Sequence, residues 1–166
     1  MYFTVDKARR YIRDLRSYVY DDQVEIPRFK VCEEDVPQAF KPEFDDSAWS
    51  DFKIGSEWGG RDRTAWFRTT VDVPEHWVGK KIALYLIVGA GREGGLGGSE
   101  ALLYVNGKAV QGLDAHHREA CLLPEHIESG RLSIAIKAFS GLQDEKRVLR
   151  TARLVRIHED AEDFFF

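Results

Sequence analysis

The chain has 166 residues, which suits one domain with a real core. A hydrophobic share of 43% argues against disorder, and a net charge of −4 with mixed signs leaves no basic footprint for nucleic acid. No apolar run is long enough to span a bilayer, and the charged start MYFTVDKARRYIRDLR has no signal-peptide core, so the expected compartment is the cytoplasm.

The first expected element is an amphipathic helix over residues 1–22. Val5, Ala8, Ile12, Leu15 and Val19 recur at three- and four-residue steps, and Tyr11 and Tyr18 widen the stripe. Lys7, Arg9, Arg10, Arg13 and Arg16 fall mostly on other faces, where Asp6 and Asp14 dilute them. The stripe therefore suits packing on a neighbouring domain or sheet better than a membrane.

Residues 23–158 carry a strand pattern. Residues 24–30 read as a short edge strand interrupted by Pro27. Pro37, Pro42 and the acidic run 33–35 mark a loop. Phe67, Thr69, Val71 and Val73 alternate with polar neighbours up to Pro74. Residues 82–88 form a nearly continuous apolar run, as a central strand does. Residues 101–105 lead into Asn106-Gly107, the strongest hairpin signal in the chain, with a return strand at 108–110. Further strands are expected at 120–123, 132–138 and 148–157. Many short strands with turns between them, and no helix between strands after residue 60, imply an all-β antiparallel sandwich or jelly roll. Cys32 and Cys121 are expected to be buried thiols rather than a disulfide.

Three enzymatic patterns can be weighed. Residues 89–94 match the GxGxxG dinucleotide fingerprint and follow a strand. That site also needs a helix whose N-terminus faces the pyrophosphate. Gly95, Gly97 and Gly98 come next, each costing about 1 kcal/mol in a helix, so the segment reads as a loop. His116 and His117 lie near Asp114, Glu119, Cys121 and His126. Their spacing fits no zinc pattern, and neighbours on a strand face opposite ways, so they are read as groups satisfying the backbone of a polar loop. A calcium ion held by loop oxygens is the more plausible metal, although no spacing defines it. No serine sits in a nucleophile elbow, and no carboxylate pair can be placed across a sugar. Trp49, Trp58, Trp66 and Trp77 gather in one third of the chain, beside Arg61, Asp62 and Arg63. Trp49 and Trp66 are expected in the core. Trp58, Arg61 and Arg63 in one loop, and Asp114 and His116 in another, are the candidate carbohydrate-binding residues.

Three blocks occur in a fixed order: FDDSAW (44–49), TAWFRTTVDVP (64–74) and LYVNGKAVQGLDAHHRE (103–119). They resemble the N-terminal β-sandwich of glycoside hydrolase family 38 α-mannosidases of the cytosolic and bacterial type, over residues 44–141. The resemblance implies a galactose-binding-like jelly roll with one N-terminal helix. It also implies a role as non-catalytic accessory domain, packed on the catalytic domain of the same polypeptide or on other subunits of a homo-oligomer. That catalytic domain would hold zinc through His and Asp side chains and hydrolyse terminal α-mannosides with an Asp nucleophile. No position of the chain matches its motif, so no catalytic, metal or cofactor residue is assigned. Residues 159–166, ending in three phenylalanines, are expected to begin a linker to that domain. The alternative is a free-standing carbohydrate-binding module.

Overall fold

The computed structural model describes residues 19–89 and 99–158. Its strands are β1 (Tyr20–Glu25), β2 (Arg28–Cys32), β3 (Ser50–Lys53), β4 (Glu57–Trp58), β5 (Thr64–Asp72), β6 (Ile82–Ile87), β7 (Glu100–Val105), β8 (Lys108–Leu113), β9 (Glu119–Leu122), β10 (Arg131–Phe139), β11 (Arg147–Val148) and β12 (Thr151–Ile157). They form a four-stranded sheet in the order β1-β12-β6-β9 and a six-stranded sheet in the order β3-β2-β5-β10-β7-β8, with β11-β4 as a separate ribbon. Every pairing is antiparallel. Among the described residues, helix is confined to a 3-10 turn at Glu75–Trp77 and one turn at Pro124–Ile127. The fold is an antiparallel jelly-roll sandwich, as the strand pattern predicts.

The period-2 pattern explains the layers. β10 pairs along its whole length with β5, from Arg131 opposite Asp72 to Phe139 opposite Thr64, and with β7 on its other side. Its Leu132, Ile134, Ile136 and Ala138 join Phe67 and Leu103 of the same sheet and Leu84, Leu86 and Leu154 of the other in one core. Each such side chain contributes about 1.5–3 kcal/mol on burial. Asn106 and Gly107 both have positive φ, 50° and 80°, as the hairpin turn from β7 to β8 requires.

Several expectations need correction. Residues 24–30 are not one strand. β1 belongs to the four-stranded sheet and β2 to the six-stranded one, and Ile26-Pro27 carries the chain across. β1 is an edge strand, but β2 lies between β3 and β5. Proline lacks the N–H a ladder needs, so it sits where the chain leaves one sheet for the other. Residues 1–18, most of the expected helix, lie outside the described residues, as do 159–166. Tyr20–Asp22, at the helix's expected end, are already strand and pair with β12. Val19, the last residue of the apolar stripe, packs with Tyr20 and Tyr85 against Ala83, Val155 and Ile157. Cys121 is exposed and Cys32 half-buried, so neither is the buried thiol expected. β9 is an edge strand, which leaves the Cys121 side uncovered by a further strand.

β6 and β7 flank the glycine-rich segment and lie in different sheets. They cannot be the parallel neighbours of a dinucleotide fold. Residues 90–98 lie outside the described residues, but Gly89 has a local reason: a Cβ there would meet Ser99 Oγ at 1.5 Å.

Candidate functional site

The sandwich has two ends. The loops 55–63, 114–118 and 140–146 leave the end where Phe139 lies opposite Thr64 and Glu100, and Ala101 opposite Leu113. The segments 73–81 and 123–130, the Asn106-Gly107 turn and the described chain ends lie at the other. Arg61, Arg63, Asp114 and His116 are thus brought to one end, and all four are exposed.

Trp58 is not available to a sugar. It is fully buried, packs edge-on against Phe67 at 5.3 Å, and its indole N–H donates to the Val88 carbonyl at 3.0 Å. β4 pairs it with Arg147 of β11, which turns the ring inward. The loop that follows is held on the end of β10. Buried Ser140 accepts from Arg63 N at 3.1 Å and donates to the Gly60 carbonyl, and Lys146 donates to the Gly59 carbonyl at 2.6 Å. Arg147 is buried alongside and donates to the Ser140 carbonyl at 2.7 Å.

Asp114 is committed to its own loop. Its carboxylate accepts from the backbone of His116 and His117, both at 2.7 Å, and lies 2.9 Å from His117 Nδ1. These donors, His117 first, hold its carboxyl well below the usual carboxylate range. The polar-loop reading of this segment therefore describes what its side chains do. At the opposite end of the sandwich, buried His126 accepts from Leu123 N at 3.0 Å, and Asn106 donates to the His126 carbonyl at 2.8 Å. Among the described residues, no group of three or more His, Cys, Asp or Glu side chains comes together as a metal site would require.

The three sequence blocks do come together, on the outer face of the six-stranded sheet. Trp66 and Ala135 on that face are buried beneath the segment 33–49, together with Ala39, Phe40, Phe44, Trp49 and Tyr104. Arg68 is the centre of this cap. Only 5% exposed, it donates from Nε to Asp46 at 2.8 Å. Its other nitrogens reach the carbonyls of Ala39, Lys41, Pro42 and Phe44, and its guanidinium lies 5.3 Å from the Phe44 ring. A planar fork of five donors suits this convergence of loop carbonyls, which a lysine could not serve.

Each marked residue of FDDSAW thus has a place. Phe44 packs under Arg68 and against Trp49, with ring centroids 5.4 Å apart. Asp45 caps the turn by accepting from Ser47 N at 3.0 Å, and Asp46 holds Arg68. From the third block, Tyr104 stacks on Phe40 at 5.2 Å and meets Trp66 at 5.7 Å. Gly107 approaches so closely that a Cβ would meet Pro42 at 3.0 Å. A second strap, Lys137 to Asp35 at 2.7 Å, closes the other side of the cap over the Trp66 ring.

Trp66 is core, as expected. Trp49 is only half-buried and lines a shallow groove of about 440 Å³ with Glu33 and Glu34. The residues sequence reasoning missed are Arg68, Arg147 and Ser140. Their signal was weak: a charged residue inside a strand reads as solvent-facing until a loop is known to cover it.

The strand order and the uniformly antiparallel pairing define the chain as a jelly-roll sandwich domain. The chain superimposes on a glycosyl hydrolase family 2 member from Bacteroides cellulosilyticus with a TM-score of 0.63 at 16% identity, covering 81% of this chain and 20% of that one. It superimposes on a Bacteroides uniformis β-glucuronidase with a TM-score of 0.60 at 20% identity, covering 81% and 18%. For a β-glucuronidase from an uncultured Clostridium the values are 0.60 and 14%, covering 82% and 29%. The chain therefore spans between 18% and 29% of those proteins. No curated protein sequence matches it. A family model described as alpha-mannosidase, jelly roll domain, matches residues 23–139. The chain belongs to that family.

Proposed function

We propose that this sandwich is the non-catalytic accessory domain of a longer cytoplasmic α-mannosidase of glycoside hydrolase family 38. It packs on the catalytic domain of the same polypeptide, within a homo-oligomer. The observation that carries this is the use made of the residues in the three sequence blocks. Phe44, Asp46, Trp66, Arg68, Tyr104 and Gly107 are all engaged in capping one sheet face, and none is presented to a substrate. The parent's chemistry, hydrolysis of terminal α-mannosides with zinc, belongs on this reading to residues outside the chain. The test is an assay of the isolated 166-residue chain and of the full-length protein on an aryl α-mannoside with zinc. Turnover by the full-length protein alone is expected, and turnover by the isolated chain would refute the proposal.

One observation favours a second reading, an independent carbohydrate-binding module. Trp49 offers part of its ring to a groove flanked by Glu33 and Glu34, an aromatic wall with hydrogen-bonding neighbours. Arg61, Arg63 and His116 remain exposed as further polar contacts, whereas Trp58 cannot supply the stacking face. Saturable quenching of tryptophan fluorescence by mannosides would support this reading, and flat titrations would remove it.

A further inference from the structure

Asn106 does more than turn the hairpin from β7 to β8. The register that sets Val105 opposite Ile134 leaves Asn106 beside Ser133, one step past the end of the β7–β10 ladder. Its backbone N–H donates to the Ser133 carbonyl at 2.8 Å, and its side-chain Oδ1 accepts from Ser133 N at 2.8 Å. The side-chain amide thus completes a pairing that the backbone alone would leave half made. Its Nδ2 donates to the His126 carbonyl at 2.8 Å, which ties the one-turn helix Pro124–Ile127 to the hairpin. On the other side, Gly107 lies so close to the segment 33–49 that a Cβ would meet Pro42 Cδ at 3.0 Å. Half-buried Asn106-Gly107 therefore joins the hairpin, β10, the helical turn and the cap over the six-stranded sheet.

Asparagine before glycine is also the pair most prone to lose its side-chain amide, since glycine has no side chain to hinder attack by its own backbone nitrogen. In that reaction the Gly107 nitrogen bonds to Asn106 Cγ, the Cγ–Nδ2 bond breaks, and ammonia leaves with the proton from the Gly107 nitrogen. Water then opens the resulting cyclic imide at either carbonyl, giving aspartate or isoaspartate. Attack requires Cγ to turn its face to the Gly107 nitrogen. In the folded chain both ends of the amide are held, Oδ1 by β10 and Nδ2 by the helical turn.

We propose that Asn106 is a deamidation site gated by the turn Pro124–Ile127. The side chain is released for attack when that turn opens, and conversion then stops the turn from closing as before. The gate has a defined catch: His126 Nδ1 accepts from Leu123 N at 3.0 Å and so fastens the start of the turn. A short surface element of this kind opens at lower free energy than the whole domain. An aspartate at 106 has no N–H to give, so the His126 carbonyl loses its donor and faces a carboxylate. Isoaspartate also lengthens the backbone by one carbon, next to the close approach of Gly107 to Pro42. One conversion thus loosens the helical turn and the cap together. The proposal stands on the sandwich alone and does not depend on the mannosidase reading.

The test follows the tryptic peptide that ends at Lys108 by mass spectrometry, while the 166-residue chain stands in mildly alkaline buffer. The native chain is expected to convert about tenfold more slowly, or slower still, than the same chain unfolded in guanidinium chloride, since only the open fraction reacts. Equal rates would overturn the proposal. His126→Ala removes the catch but keeps the backbone carbonyl, and should speed conversion severalfold under native conditions. Gly55→Ala, at the opposite end of the sandwich, is the control for general loosening. Equal acceleration by both variants, or none by His126→Ala, would overturn the gate. The converted wild-type form, separated by ion exchange, needs no substitution and keeps the test open if His126→Ala does not fold. It should lose hydrogen-exchange protection over residues 123–130 while β12 keeps its own. Unchanged protection over 123–130 would show that the Asn106 amide does not hold the turn, and would overturn the proposal.

Discussion

Asp46 accepts a hydrogen bond from Arg68 Nε at 2.8 Å across 22 residues of sequence, and this one bond joins two of the three sequence blocks, FDDSAW and TAWFRTTVDVP. The pair is buried on the arginine side and partly open on the aspartate side, with side-chain exposures of 5% and 30%. Removing one partner of a largely buried, hydrogen-bonded pair is costly, because the groups it served are left without a partner.

Arg68→Met should therefore destabilise the domain by about 3 kcal/mol or more. Five acceptors lose their donor, and the segment 33–49 loses its anchor. Asp46→Ala should cost only about 1 kcal/mol, since the carbonyl bonds to Arg68 remain. Urea unfolding of both variants checks the order. Equal costs would mean that the carboxylate, not the carbonyl cluster, holds the cap.

Trp58→Ala should behave as a core mutation. Loss of a buried tryptophan costs about 3–5 kcal/mol, and the Val88 carbonyl would lose its donor. The midpoint of denaturant unfolding should fall sharply. A variant with native stability and lost sugar binding would contradict the buried position.

Two glycines in one loop should respond differently. Gly59 has a φ of 72°, and a Cβ there would meet Ser140 Cβ at 2.7 Å. Gly55 has a φ of 93° with nothing within 4 Å. Gly55→Ala should cost about 1–2 kcal/mol from backbone conformation alone. Gly59→Ala adds a clash with the buried Ser140 that anchors the loop, so it should cost clearly more. Thermal unfolding of the two variants side by side measures the difference.

The acid limb of stability should depend on Asp22. His76 first, and then the buried Trp77 indole at 2.9 Å, hold its carboxyl below the ordinary value of 3.8. A carboxyl lowered by folding adds stability that is fully present above its unfolded value and is lost as pH falls through the folded one. Asp22→Asn should thus weaken the domain near neutral pH and flatten the loss below about pH 4. Stability measured against pH for both forms checks this. An unchanged acid limb would show that the Trp77 and His76 contacts do not stabilise the fold through ionised Asp22.

Much of the architecture follows from local rules. The alternation over β5 and β10, the apolar run of β6 and the Asn106-Gly107 turn are each set by the side-chain period of a strand or by a φ requirement, so they can be read one segment at a time. The three blocks, taken in order, also pointed to the α-mannosidase jelly-roll family, whose model matches residues 23–139. Local rules could not show that Pro27 marks a change of sheet, since that depends on which strands β1 and β2 meet. They misplaced Trp58, because burial is decided by the elements that cover a residue. They passed over Arg68 for the same reason. In sequence Arg68 is a polar residue in an alternating strand, and only the folded chain brings the carbonyls of 39–44 and the carboxylate of Asp46 around it. The sequence by itself determined strands, turns and family. The tertiary structure decided which of the marked residues face a partner inside the molecule, because desolvation and hydrogen-bond satisfaction are properties of the assembled layers and not of any one segment.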